Sequence, residues 1–545
     1  MNIYIQDSKL VEPYIKSKKL NFNYRLIGDT QILTLENIEN IYSLIKNQKF
    51  EKIEKLFCEF ILIIEDENYI FILTDNFGLI KKFYTNQNKH FHFGSFWEVL
   101  KSYQKDNDIE IDYTAIYQQF NYGRTFENKT IVKNIFTSNA NQLISYDKKK
   151  REISLKHYYH YSHSLKNNNL NKKEVIEVFE ESLENQRNYI IKNSESTDFI
   201  VSLSGGLDSR IIIPYLKNSE SKINCFHIGV NNNLLDTYDQ YLSKLLLKNE
   251  DIEFHLIDPF ITKIEEKVNL DILRNPTINS NILKAINIHD HSLFSPNQTY
   301  ISGGHGGAVG GRLLDNKLIK KIDNQQLKNY LNSKFLLRNE DFFNWDKILP
   351  ENFDFVESEL ESLLSNNYDN FGVFMHFHKM RHTNLGVYES LLGQLDFFSI
   401  YIPFIWLNSE EWGFSNMKNR QILIDNLKSL EKKYYLTPQQ NAKSINNDSA
   451  FKLTYQKINK KIRKSSIDYN IWWSDKYFKN YVQDTMRMDS SFYNVFDKSE
   501  ILKVFSNSNY SQSKENILKL KLIIEYIDQK KFMSESDNFS SSSKY

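Results

Sequence analysis

The residues best suited to do chemistry lie in Phe199-Ile-Val-Ser-Leu-Ser-Gly-Gly-Leu-Asp-Ser-Arg210. An apolar, β-branched run ends there in two hydroxyls, two glycines and a carboxylate. Ser204, Gly205 and Gly206 permit a sharp turn with exposed backbone N–H groups. A glycine also removes the Cβ that would hold a phosphate away. Ser209 lies near the start of the next helix, where orphan N–H groups favour anions. Asp208 can hold a hard divalent cation that offsets phosphate charge. It is close enough to Gly206 for anion and cation to meet at one point. Arg210 offers a phosphate or substrate contact, or else a salt bridge across the helix start. The stretch lacks the Gly-x-x-x-x-Gly-Lys-Ser/Thr pattern and the dinucleotide fingerprint, so neither of those inferences applies.

The elements that must position this loop alternate. Val175 to Ile190 has helical spacing, and Phe199 to Ser202 reads as a buried strand. Helix is expected from Ile211, strand over Ile223–Ile228, helix over Asp236–Leu247 and strand over Ile252–Ile257. Such alternation predicts a largely parallel sheet with both faces covered. Ligands then sit beyond the carboxyl ends of the strands, where the Ser204 loop falls. Residues 1 to about 165 read as strand-rich instead. Phe60–Ile64 and Tyr69–Thr74 flank the turn former Glu65-Asp-Glu-Asn68, and Ile144–Asp147 leads into a second hairpin ending near Ser154. The polar stretch 162–171 reads as a linker. From about 316 the pattern is mostly helical, closing in a tail from Met533 that is expected to be frayed. Three regions result: 1–165, 172–445, and a helical extension over 446–545 with a disordered tail.

A chain of 545 residues with 41% hydrophobic and 14% aromatic side chains has ample apolar material for two or three cores, which excludes global disorder. Its 69 basic and 68 acidic residues leave a net charge of +1, which argues against nucleic-acid or membrane steering. The lysines of Lys457–Lys464 alternate with apolar residues and read as a solvated helix face. Cys58 and Cys225 both sit in apolar runs and read as buried side chains in a reducing compartment. The start at Met1 lacks a secretory pattern, and no run approaches the roughly 18 apolar residues of a bilayer span. A cytoplasmic location is therefore expected.

Ser204-Gly-Gly-Leu-Asp-Ser209 resembles the pyrophosphate loop of the asparagine synthetase-like family, within the ATP-pyrophosphatase superfamily. Thr74-Asp-Asn-Phe-Gly78, Lys82-Phe-Tyr84 and Phe93-Gly-Ser95 are similar to strands and turns of that family's glutaminase-type domain. Tyr122-Gly-Arg-Thr-Phe126, Asn141-Gln-Leu-Ile144 and Lys156-His-Tyr-Tyr159 resemble its passage into the synthetase domain. Ser302-Gly-Gly-His-Gly-Gly-Ala-Val-Gly-Gly311 resembles its second glycine-rich motif, and Ile402-Pro-Phe404 a later one. The resemblance covers roughly residues 1–445. It implies an α/β chain in which an Ntn-hydrolase-like αββα sandwich precedes an adenine-nucleotide α-hydrolase-like parallel-sheet domain with helical additions. It implies ATP and Mg²⁺ as cofactors, with Ser204, Gly205, Gly206, Asp208 and Ser209 at the phosphates. Asp208 would hold the metal, and the strand region Phe226 to Gly229 would meet adenine. Chemically it implies adenylation of a carboxylate, with AMP then displaced by a nitrogen nucleophile.

Two departures qualify that implication. A working glutaminase of this kind needs a cysteine directly after the initiator methionine, with its freed amine as the local base. Here Asn2 stands there, so glutamine hydrolysis is expected to be absent, and ammonia or a substrate amine becomes the nitrogen source. The second glycine-rich motif usually carries a magnesium-holding aspartate, and that position falls on Ala308, which cannot ligate a metal.

His305 could serve as a base for the attacking amine or as a cation toward phosphate, or simply pack at a turn. Glu389 could pair with a catalytic base or serve a surface or capping role. The resemblance offers Lys443 as the lysine that neutralises the α-phosphate, with Lys379 and Arg381, which otherwise read as a solvated helix, as alternatives. His227 reads as structural. Asp236 and Asp239 open a helix whose amino end they stabilise, the alternative being metal or ribose contact.

The reading is an AMP- and PPi-forming, carboxylate-activating ligase acting on a small molecule or peptide, with a biosynthetic protein partner allowed for. The alternative is a nucleotide-binding pseudoenzyme or scaffold. A nucleoside-modifying activity is opposed by the neutral charge and the absence of zinc-ligand cysteines.

Overall fold

A computed structural model describes residues 2–3, 15–17, 21–28, 35–50, 60–75, 80–87, 90–122, 128–158, 171–194, 198–217, 221–229, 237–257, 298–303, 396–399, 401, 420–437, 476–506 and 512–533, together with positions 53, 78, 125 and 293. It is a mixed α/β fold with two mainly antiparallel sheets, one parallel sheet and helices around all three.

The first six-stranded sheet grows from tight hairpins. Strand β4 (Phe60–Glu65) pairs antiparallel with β5 (Tyr69–Thr74), and β9 (Gln142–Asp147) with β10 (Glu152–His157). Aspartates shape both turns. Asp66 accepts the Asn68 and Tyr69 N–H groups, and Asp147 accepts those of Lys149 and Lys150. Strands β2 (Ile15–Ser17) and β3 (Phe22–Gly28) complete the order β10-β9-β5-β4-β3-β2.

Strand alternation then sets three apolar layers. Phe60, Leu62 and Ile64 face Ile38, Ile41 and Ile45 of α1 (Leu35–Lys46). On the other face Ile61 and Ile63 meet Tyr84 of β6 (Phe83–Gln87) and Phe91 and Phe93 of β7 (His90–Gly94). These belong to a four-stranded sheet ordered β1-β7-β6-β8, with β1 (Asn2–Ile3) parallel to β7, Asn2 opposite His92, and β8 (Phe136–Thr137) at the far edge. Beyond it lie α2 (Phe96–Gln104) and α3 (Tyr113–Tyr122). The strand-rich expectation for residues 1–165 did not include these three helices, although Ile38, Ile41 and Ile45 carry helical spacing.

The C-terminal helices join this layered unit. Phe478 and Val482 of α10 (Lys476–Arg487), Ile501 of α11 (Lys498–Ser506) and Ile517, Leu520, Ile523 and Ile524 of α12 (Gln512–Asp528) share one core with Phe96, Val99 and Leu100. Trp97 and Tyr526 stack edge to face at 4.9 Å. The helical character expected after 446 therefore takes the form of a cover on the N-terminal layers.

The parallel sheet has the order β13-β12-β11-β14-β15, every pair parallel. Its strands are β11 (Asp198–Ser202), β12 (Lys222–Ile228), β13 (Glu253–Ile257), β14 (Thr299–Ser302) and β15 (Asp396–Ser399). The four residues of β15 lie in a region expected to be mostly helical, too short a run to show a strand period.

Helix α4 (Lys172–Asn193) begins at a capping box between Asn171 and Glu174, just before its first apolar position. It packs Val175, Phe179 and Leu183 onto Phe199 and Val201. Helices α5 (Leu207–Arg210), α6 (Ile212–Leu216), α7 (Tyr238–Leu247), α8 (Gln421–Ser429) and α9 (Lys432–Leu436) complete the described elements around this sheet. Cys225 is buried, and burial pushes its thiol up, as expected for an inert core side chain. Among the described residues no helix is long and apolar enough to cross a membrane.

Candidate functional site

Strand β11 is the centre of the parallel sheet. The chain builds outward to β12 and β13 on one side and to β14 and β15 on the other. The strand order therefore reverses between β11 and β14, the position at which open α/β sheets bind ligands. Ser204–Ser209 leaves β11 at that point, and Ser302–Gly303 ends β14 beside it. Strand and loop are thus brought together with the first residues of the second glycine-rich motif.

The loop is held closed by its own hydroxyls. Ser209 Oγ accepts the Ser204 N–H at 3.0 Å and lies 3.1 Å from Ser204 Oγ. Ser204 Oγ in turn accepts the Gly206 N–H at 3.2 Å. The two serines therefore preset the turn, with Gly206 extended at φ −74° as the cap of α5.

The glycines are required by packing. A Cβ on Gly205 would stand 2.5 Å from Leu242 Cδ1 of α7, and one on Gly303 would stand 3.0 Å from both the Asp208 carbonyl oxygen and Ser209 Cα. Thus Gly205 lets α7 close on the loop, and Gly303 lets β14 close on α5. Gly206 is the glycine whose absent Cβ leaves room beside a side-chain hydroxyl, with Ser204 Oγ 3.1 Å from where that carbon would stand.

Asp208 is half-buried, with Oδ2 3.5 Å from Nη2 of Arg420. Arg420 has a left-handed backbone (φ 61°) at the start of α8. The buried Tyr401 hydroxyl donates to the Asp208 carbonyl at 2.6 Å. Burial first, then the Asp208 carboxylate, pushes the Tyr401 phenol well up, with Arg420 opposing. Sequence reasoning named neither Tyr401 nor Arg420. The available signal was Tyr401 directly before Ile402-Pro-Phe404; Arg420 has no local pattern, because it is the packing of α8 against α5 that brings it to the loop.

Arg210 is placed differently from either sequence alternative. It is completely buried, and its Nη2 donates to the Gly205 carbonyl at 2.8 Å. Nη1 donates to the carbonyls of Tyr434 at 3.0 Å and Thr437 at 2.6 Å. Burial lowers the guanidinium to about 10, so it remains charged near neutral pH. The expected phosphate contact is thus corrected: the side chain turns inward onto three carbonyls, because the helical turn of α5 directs position 210 into the core.

The adenine-side expectation concerns backbone. The Phe226 carbonyl accepts the Leu203 N–H at 2.9 Å, and the Gly229 N–H donates to Ile257 at 3.0 Å. The Phe226 ring packs with Ile200, Ile257 and Tyr300. His227 Nδ1 lies 2.9 Å from the Leu203 carbonyl, and burial holds its imidazole below the ordinary value against that carbonyl's opposing pull. This is the structural role expected for His227. Asp239 lies in the first turn of α7, whose cap is Thr237. The Cβ position of Gly205 lies 3.1 Å from Asp239 Oδ1.

His305, Ala308, Lys379, Arg381, Glu389 and Lys443 lie outside the described residues, as do Cys58, Asp236 and Lys457–Lys464. Among the described residues no cluster of three or more His, Cys, Asp or Glu side chains is placed to hold a metal.

The arrangement can receive an anion over two hydroxyls and a glycine, with one carboxylate and one guanidinium at its edge. No family model matches the chain, and no curated protein matches it.

Proposed function

We propose that this chain binds ATP at Ser204–Ser209 and activates a carboxylate by adenylation, releasing PPi, with an amide formed by ammonia or a substrate amine. The single observation that carries the reading is the seat of the loop at the switch point between β11 and β14, closed by Ser204 and Ser209 and abutted by Gly303. The residues fit the nucleotide. Ser204 and Ser209 supply two hydroxyls for phosphate oxygens, Gly206 leaves room beside them, and the half-buried Asp208 carboxylate is a donor for Mg²⁺. Mg²⁺ would draw its remaining ligands from phosphate and water, and when bound it would neutralise charge on the leaving PPi.

The finer fold reading goes with this. The helix, six-stranded sheet, four-stranded sheet and helix layers support an Ntn-hydrolase-like sandwich, and the β11–β15 order supports an adenine-nucleotide α-hydrolase-like domain. Asn2, at the head of β1, supports a layered domain without glutaminase activity, since an amide side chain is no substitute for a thiolate nucleophile.

A second reading is nucleotide binding without turnover, inside a biosynthetic complex. It is favoured by Arg420, which brings a fixed positive charge to the carboxylate that Mg²⁺ would otherwise claim. The test is PPi release from ATP with candidate carboxylates and amines. AMP and PPi in equal amounts support the ligase. Tight ATP binding with no PPi from any acceptor supports the second reading, and no ATP binding overturns both.

A further inference from the structure

Arg210 spans two parts of the chain more than two hundred residues apart, and its bonds have a direction. Helix α9 ends at Leu436, so the carbonyls of its last turn lack partners within the helix. Arg210 Nη1 takes two carbonyls there, Tyr434 and Thr437, where a cation is favoured by the helix C-terminus. Its other arm takes Gly205, the carbonyl in the middle of the Ser204–Ser209 loop. The Gly205 carbonyl and the Gly206 N–H belong to one peptide. A charged donor on the oxygen polarises that peptide and strengthens the N–H as a donor.

The far end of this link is itself anchored. Lys433 donates to Glu250 at 2.6 Å and to the Lys248 carbonyl at 2.9 Å, and Lys217 pairs with Glu250 at 2.9 Å and Glu431 at 2.6 Å. Helix α9 is thus tied to the C-terminal ends of α6 and α7, and through Arg210 to the loop. In sequence, Lys443 follows Thr437 within a few residues.

We infer that Arg210 is a positioning residue that couples the conformation of the Ser204–Ser209 loop to that of α9 and Thr437, so that an anion settling on the loop also orders the 432–437 end. What the coupling serves rests on the nucleotide reading above; the coupling itself does not.

Hydrogen exchange on the full chain tests it. Without nucleotide, Arg210→Lys, which keeps the charge but loses the two-armed fork, is expected to speed exchange about tenfold in both 203–209 and 432–437. Residues 60–74 should be unchanged, which a merely global destabilisation would not allow. Lys433→Met leaves Arg210 intact and loosens α9 from outside. It is expected to speed exchange in the same two segments, and it decides the matter if the Arg210 variant does not fold. Tyr401→Phe removes the bond to Asp208 and is expected to affect 203–209 without 432–437. Acceleration confined to one segment in the Arg210 and Lys433 variants overturns the inference.

Adding ATP and Mg²⁺ to the wild-type chain is expected to protect both segments, and in Arg210→Lys the loop alone. Absence of any protection in the wild type counts against the nucleotide reading, while the nucleotide-free comparison still decides whether the coupling exists.

Discussion

Gly303 meets the backbone of Asp208 so closely that a β-carbon on Gly303 would stand 3.0 Å from the Asp208 carbonyl oxygen. That same oxygen accepts the Tyr401 hydroxyl at 2.6 Å. One peptide of α5 is therefore wedged between β14 and the chain after β15, and the position of the Asp208 side chain follows from it.

Gly303→Ala is expected to push this peptide outward. Overpacking of this kind costs about 1–3 kcal/mol. Because Asp208 and Ser209 move together, nucleotide affinity is expected to fall along with stability. Titration with a fluorescent ATP analogue, set beside urea denaturation, checks this; unchanged affinity in the folded variant counts against the wedge.

Gly205→Ala is expected to collide with α7 instead. The new carbon would lie 2.5 Å from Leu242 Cδ1, a contact that requires α7 or the leucine to shift. A loss of about 1–3 kcal/mol is expected. Combined with Leu242→Ala the cost should be smaller than the sum of the single losses, measured as a double-mutant cycle in urea. Strict additivity would show that the two positions do not oppose each other.

Asp208 and Arg420 are expected to act in opposite directions on magnesium. Asp208→Asn removes the carboxylate and should weaken binding of the Mg²⁺ complex of ATP. Arg420→Met removes the competing cation from Asp208 Oδ2 and should raise the apparent Mg²⁺ affinity of the nucleotide complex roughly two- to fivefold, the range of a partly exposed ion pair. Magnesium titrations at fixed nucleotide distinguish the two, and a fall in both variants would contradict the competition.

Glu250 predicts an acid-sensitive component of stability. Burial pushes its carboxyl up, but the ammonium groups of Lys217 and Lys433 outweigh burial and hold it below the ordinary value. A carboxylate lowered on folding contributes stability above its unfolded value, about pH 4, and that contribution is lost as pH falls through the folded value. Glu250→Gln should therefore be less stable than wild type near neutral pH, and the gap should close on acidification. Denaturation series at stepped pH would show it; a gap independent of pH would rule out the linkage.

Ile523→Ala is expected to loosen more than its own helix. Ile523 is completely buried in the core that α12 shares with α2, so its loss costs about 2–5 kcal/mol. Exchange should rise in 96–104 as well as 512–528, while 198–202 stays protected. If α2 is unaffected, the C-terminal helices do not cover the N-terminal layers as one unit.

Much of this arrangement was legible in the amino-acid sequence because its signals are local. The apolar run Phe199–Val201, the hydroxyls and glycines after it, and the strands and helices through Ile257 declare themselves by spacing, since alternation and turn chemistry act over a few residues. The hairpins at Asp66 and Asp147 are legible for the same reason. What the tertiary structure alone decided are relationships that depend on chain return. Arg210 lies beside the loop in sequence, yet α5 turns it inward to carbonyls at 434 and 437. Tyr401 reaches Asp208 because β15 ends beside β14, and Arg420 because α8 packs against α5. Gly205 and Gly303 are glycines because α7 approaches the first and α5 the second. The helices after 475 complete a core begun near Phe83, since the outer face of the four-stranded sheet and the apolar stripes of those helices must both leave water, and neither sequence segment states which partner it will bury.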